Sequence, residues 1–194
     1  MWMLTYRFTW IPMYLAIAYA VMRTVGWRRG LLFIVAVALT IVLADQVGSH
    51  IIRPWAERLR PSNADNPLST MIHLVHDYRG GAYGMPSCHA ANTVGLLTIV
   101  CLQFRNRLLT SMLTLWMLSQ VYSRMYLGVH YPSDLLVGAV IGLASGTLMA
   151  WAYRKGTKRY LHEDGGIVPM ALREAMAPTA VFLATLIVIA VASV

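Results

Sequence analysis

The run LLFIVAVALTIVLADQVGSHII, residues 31–52, carries no charge until Asp45. A hydrocarbon core about 30 Å thick is crossed by about 20 apolar residues of helix, so this stretch reads as a membrane span. Working outward from it, residues 8–22, 90–104, 108–125, 135–153 and 175–194 qualify or nearly qualify as further spans. The segments 8–22 and 90–104 are short, and the latter reaches full length only if its helix starts near Ser87. Composition points the same way: the 194 residues are 58% hydrophobic and 12% charged, with mean hydropathy +0.57. The expected fold is all-α, a polytopic membrane helix bundle of about six transmembrane helices, forming one domain over residues 1–194.

No internal repeat or low-complexity tract interrupts this pattern. Residues 1–7 offer no basic leader and no small-residue cleavage site follows, so the first apolar segment is expected to stay as a span. Cys88 and Cys101 lie too far apart along one expected helix to pair, which leaves no disulfide framework. Cys101 reads as a small hydrophobe. A net charge of +8 would suit a nucleic-acid partner in a soluble protein. Here the basic residues fall between apolar runs, as membrane orientation requires, and no nucleic acid is expected.

Arg23, Arg28 and Arg29 separate the first two spans, Arg105 and Arg107 the third and fourth, and Arg154, Lys155, Lys158 and Arg159 follow the fifth. In an alternating topology these three loops share one side, which the positive-inside rule places in the cytoplasm. Residues 53–86 and 127–133 then face outward, toward the periplasm if the membrane is a bacterial inner membrane. Arg53, Arg58, Arg60, Arg79 and Arg124 gather at that face against the rule, and positive charge held there suggests an anion. Snorkelling to headgroups accounts for Arg58 alone but poorly for the group.

Gly138, Gly142 and Gly146 recur every four residues on the fifth span and leave one face bare for close backbone approach. Asp45 and His50 are ionisable groups at or near membrane depth. Asp45 is expected to hydrogen-bond a neighbouring helix, and His50 to lie at the interface.

Three polar strings hold most of the chemistry. RPWAERLRP gives Arg53 and Arg60, PSCH spans residues 86–89, and SRMYLGVHYPSD gives Arg124, His130 and Asp134. Three arginines offer charge-assisted, bidentate hydrogen bonds that match a tetrahedral phosphate. Ser87 and the backbone N–H groups at the start of the third span, including that of Cys88, add donors at a helix N-terminus. Asp134, four residues after His130, can hold the imidazole in one tautomer. His130 so oriented can attack phosphorus and form a phosphohistidine. His89, from another helix, can protonate the leaving oxygen and then deprotonate water. None of these steps requires a metal or another cofactor.

The three strings resemble the signature of the type 2 phosphatidic acid phosphatase family, integral-membrane lipid phosphatases. Its pattern is Lys, six residues, Arg-Pro; then Pro-Ser-Gly-His; then Ser-Arg, five residues, His, three residues, Asp. The resemblance covers residues 53–134 and implies His130 as nucleophile, Asp134 as its orienting carboxylate and His89 as general acid and base. It assigns the phosphate to Arg53, Arg60, Ser87, Cys88 and Arg124. Two positions depart from it: Arg53 stands for the usual Lys and Cys88 for the usual Gly. Many relatives also carry an amphipathic segment before the first span, which this chain enters almost directly.

The outer loop MIHLVHDYRGGAYG, residues 71–84, is expected to pack over the pocket and read the headgroup through Arg79, His76 and Tyr83, with Arg79 the candidate for a second phosphate. His73, His76 and Asp77 are residue types that bind metals, but the resemblance implies metal-independent chemistry. The expected partners are the bilayer and a phosphorylated lipid whose tail enters between spans. Undecaprenyl diphosphate ranks first, then phosphatidylglycerol phosphate, then the phosphates of lipid A. A lipid-to-lipid phosphotransferase on the same scaffold is the rival within the enzyme class. A small anion transporter is the rival outside it, but it would spread charge through the membrane depth. A haloperoxidase-like role would need bound vanadate.

Overall fold

The computed structural model describes residues 2–192. Among these, six long helices form a bundle: α1 (Phe8–Val25), α2 (Trp27–Ala56), α3 (Cys88–Gln103), α4 (Arg107–Tyr126), α5 (Pro132–Gly156) and α6 (Leu172–Ala192). Ser193 and Val194, the end of the expected sixth span, lie outside the described residues. A two-residue parallel ladder joins Phe104–Arg105 to Val168–Pro169.

All six expected spans are helices, but only α1, α2, α5 and α6 are both long and apolar enough to cross a membrane. The helix α3 has 16 residues, and α4 carries Arg107, Gln120, Ser123 and Arg124. The helix α3 needs less apolar surface because it is enclosed, packed against α2, α4 and α5, whereas α4 buries one face, with Gln120, Ser123 and Arg124 on it, and exposes Leu115, Leu118 and Tyr122 on the other. The outer helices instead expose Leu15, Tyr19, Val35, Leu136, Val140, Ile187 and Val191, an apolar belt suited to lipid.

The link between the first two spans is not the expected loop of residues 23–30. The helix continues across a break at Gly26, with φ 80 and ψ 164. That conformation is open to glycine and closed to most other residues. Asp45 is also placed differently from expectation: it is half-buried and makes no hydrogen bond to a neighbouring helix among the described residues.

The glycine stripe sets the height of the site. A Cβ at Gly138 would strike the Ser87 carbonyl, one at Gly142 the Ala91 carbonyl, and one at Gly146 would lie 2.7 Å from the Gly95 carbonyl. The helix α5 therefore runs backbone-to-backbone along α3, which brings the N-termini of the two helices side by side. Gly142→Ala should drive them apart, at the roughly 1–3 kcal/mol typical of overpacking. A thermal melt in detergent should show a lower Tm, and an unchanged Tm would contradict the packing.

Residues 57–87 connect α2 to α3. Glu57 ends α2 in a left-handed conformation, φ 41. Beyond it the Arg60 N–H donates to the Ala82 carbonyl (3.0 Å) and the Gly84 N–H to the Arg58 carbonyl (2.8 Å), around an antiparallel bridge between Leu59 and Tyr83. The arginine-bearing string is thereby pinned to the stretch that leads into α3.

Candidate active site

The helix α5 starts at Pro132, whose fixed φ suits a first helical turn. Asp134 closes that turn: its Oδ2 accepts the Tyr131 N–H at 2.9 Å. The same oxygen lies 3.5 Å from His130 Nδ1. On the other side of the imidazole, Arg60 NH1 lies 3.1 Å from Nε2. A guanidinium has donors only, so Nε2 accepts and the ring proton sits on Nδ1, the nitrogen nearest Asp134.

His130 is 5% exposed and Asp134 1%. Burial pushes the His130 pKa down to about 4; the contact with Asp134 opposes this, while the charges of Arg60 and Arg124 add to it. The imidazole is therefore neutral at pH 7, with its lone pair on Nε2. Burial first, then the nearby charges of Arg124 and Arg53, lower the Arg60 pKa to about 10. That mutual repulsion marks a point where three arginines converge, and an anion placed there relieves it.

Arg58 is not the snorkelling side chain expected from sequence. It turns inward: its NH1 donates to Ser133 Oγ and to Asp134 Oδ1 at 3.2 Å, and its guanidinium stacks 4.0 Å from the centre of the Tyr131 ring. Both Asp134 oxygens are thus engaged, one by Arg58 and the other by the helix cap and His130. The strand pairing at Leu59 and Tyr83 explains the turn. Arg58 and Arg60 sit two residues apart on extended backbone, which places both side chains on one face. Asn66, also passed over, is buried and donates to the Arg60 carbonyl (3.0 Å) and to Tyr131 Oη (2.9 Å), tying the arginine strand to the α5 turn.

Gly84 makes this arrangement possible, since a Cβ there would sit 2.9 Å from Asp134 Oδ2 and 3.2 Å from Arg60 Cγ. Ser87 is fully buried. Its N–H donates to the Asp134 carbonyl at 3.0 Å, and its Oγ caps α3 by accepting the Ala90 N–H. The hydroxyl proton is left as a donor at the helix mouth. Arg53 NH2 donates to the Pro86 carbonyl (3.2 Å) and to Cys88 Sγ (3.0 Å). Arg124 is buried in the last turn of α4 and donates to Thr5 Oγ1 at 2.6 Å, which brings the start of the chain to the site.

His89 is exposed on the otherwise largely buried first turn of α3 and, with Arg124 and Tyr78, lines a cavity of about 750 Å³. Below them the walls are apolar, including Trp10, Ile17, Phe33, Leu96 and Trp116. The volume falls within the ~300–1,000 Å³ of sites that hold small organic ligands.

The loop of residues 71–84 is tied to the rest of the chain by a few side-chain contacts. Arg79 NH1 donates to the Ser62 carbonyl (2.9 Å) and Ser62 Oγ donates back to the Arg79 carbonyl (2.7 Å), so Arg79 lies exposed on the loop. His76 is exposed with its ring edge-on to Trp2, 5.6 Å between centres. Tyr83 enters through its carbonyl, which accepts Arg60 Nε–H at 3.1 Å.

A buried neutral imidazole, converging arginines and an apolar cavity inside a bundle of membrane-spanning helices are the parts that a membrane lipid phosphatase requires. Residues 29–158 match the PAP2 superfamily, and the chain belongs to that family. It is 43% identical over 155 residues to a lipid A 4'-phosphatase of Bacteroides thetaiotaomicron, covering 80% of this chain and 69% of that protein. A lipid A 4'-phosphatase of Porphyromonas gingivalis is 30% identical over 162 residues, covering 82% and 67% of the two chains. An undecaprenyl-diphosphatase of Sulfolobus acidocaldarius is 29% identical over 144 residues, covering 70% and 59%. No solved structure matches the chain significantly.

Proposed function

We propose that the protein removes a phosphate monoester from a lipid A–type phosphoglycolipid at the outer face of a bacterial inner membrane, through a phosphohistidine intermediate. The observation that carries the lipid reading is the apolar cavity, whose mouth includes His89 and Arg124. A lipid chain lying in it would leave its phosphate beside the converging arginines. The preference for a lipid A phosphate rests on two of the relatives, which are named for that substrate.

In this reading Arg53, Arg60, Arg124, Ser87 and the first N–H groups of α3, including that of Cys88, bind the phosphate. The substrate takes over the Arg60 hydrogen bond now made to His130 Nε2, which frees the lone pair. Nε2 attacks phosphorus, a P–N bond forms and the P–O bond to the lipid breaks, and His89 gives its proton to the departing oxygen. Asp134, neutralised on its far side by Arg58, stabilises the positive charge that develops on His130. Water then cleaves the P–N bond with His89 taking its proton, and phosphate leaves.

Hydrolysis of undecaprenyl diphosphate is a second reading, favoured by the Sulfolobus relative. Phosphate release from each lipid, measured on purified protein in detergent with EDTA present, decides between them. Lipid A 4'-phosphate should have the higher kcat/KM, on the order of tenfold or more, since binding realised in the transition state sets that ratio. A higher value for undecaprenyl diphosphate reverses the order. No phosphate release without an added acceptor lipid would point to the phosphotransferase.

A further inference from the structure

The two positions at which the sequence departs from the family pattern, Arg53 and Cys88, touch. Arg53 NH2 donates to Cys88 Sγ at 3.0 Å. Ser49 Oγ lies 3.2 Å from the same sulfur. Ser49 and Arg53 are four residues apart, on either side of the end of the π-helical turn Val47–Ile52, so both face Cys88 from one side of α2. Gly48 leaves room for the contact: a Cβ there would lie 3.3 Å from Pro86 Cγ and 3.4 Å from Cys88 Sγ. The Arg53 NH2 is therefore anchored twice, by the sulfur and by the Pro86 carbonyl. Its Nε is buried with no hydrogen-bond partner.

We infer that Cys88 is a positioning residue: its sulfur, steadied by Ser49, holds one end of the Arg53 guanidinium so that the Nε–H serves the substrate phosphate. A guanidinium is a rigid planar fork, so fixing one nitrogen fixes the direction of the others. A lysine at position 53 would present a rotatable point charge and have no use for such an anchor. Arginine at 53 and a sulfur at 88 are one device made of two side chains, in which the cysteine acts through Arg53 rather than on the substrate. The inference rests on the reading of Arg53 as a phosphate ligand.

A double-mutant cycle on the full chain in detergent, with one phosphorylated lipid as substrate, tests it. Cys88→Gly should lower kcat/KM about tenfold, as loss of one charge-assisted hydrogen bond does, while Cys88→Ser, whose hydroxyl accepts the same N–H, should stay within about threefold of wild type. In an Arg53→Lys background Cys88→Gly should cost less than about threefold, since contacting residues couple and uncoupled ones add. An equal loss from Cys88→Gly in both backgrounds, or a loss in Cys88→Ser matching that in Cys88→Gly, would overturn the inference. Arg53→Ala separates the two levels. If it leaves kcat/KM unchanged, the phosphate-binding role of Arg53 fails; if it is strongly impaired while the cycle shows no coupling, only the role of Cys88 fails.

Discussion

His130→Ala is expected to abolish phosphate release, lowering kcat by on the order of 10⁴-fold or more, the scale seen when a covalent nucleophile is removed. The expectation follows from geometry. Nε2 is the one imidazole nitrogen with a lone pair, because Arg60 can only donate to it. Burial keeps His130 neutral down to about pH 4, so the lone pair is available throughout the neutral range. For the free enzyme, kcat/KM should therefore hold as pH falls from 7 and drop about tenfold per unit below that pKa, as Nε2 takes a proton. Stability has a matching sign. The unfolded histidine binds its proton near pH 6.5, before the folded one does, so between about 6.5 and 4 stability declines as pH falls. A His130→Ala protein with wild-type phosphate release would remove His130 from the chemistry.

Asp134→Asn is the second large effect, expected to lower kcat by about 10³–10⁴-fold, the order known for the equivalent carboxylate in serine proteases. An amide can present its NH2 to His130 Nδ1 and so favour the tautomer with the lone pair on the wrong nitrogen. It also carries no charge to balance the imidazolium that forms on attack. The amide NH2 turned to Nδ1 gives up the cap on the Tyr131 N–H, which shares that oxygen, but Arg58 on the other oxygen and the Ser87 N–H on the residue's carbonyl still hold position 134. The fold should therefore survive and KM should change little, so kinetics paired with a thermal melt will separate lost chemistry from lost structure. A kcat within tenfold of wild type would show that His130 needs no carboxylate.

Much of the fold was legible because lipid leaves few choices. Apolar runs of span length must be helices, and the boundaries expected for α4 and α5 lie within three residues of those observed. What the runs could not show is which helices face lipid. The short α3 lies inside the bundle, where length and hydropathy matter less than the fit of Ala91 and Gly95 against the glycines of α5. The break at Gly26 was hidden for a similar reason: its basic neighbours suggest a loop, yet one residue with positive φ suffices.

Within the site, residues that announce themselves by chemistry and spacing could be named in advance: His130, Asp134, Arg60 and Ser87. Those that act by holding others could not. Arg58 looks like any arginine at a helix end until the strand pairing at Leu59 and Tyr83 turns it toward Asp134. Asn66 and Thr5 depend on contacts across 65 and 119 residues of chain. The Cys88 side chain depends on a contact across 35 residues of chain, with Arg53.

The most direct test of a phosphohistidine mechanism is the stereochemistry at phosphorus. A lipid thiophosphate of defined configuration, labelled with ¹⁸O and hydrolysed by the purified protein in H₂¹⁷O, gives chiral thiophosphate that can be analysed. Two successive in-line displacements, on and off His130, should give overall retention. Inversion would mean that water attacks the lipid phosphate directly, and His130 would not be the nucleophile.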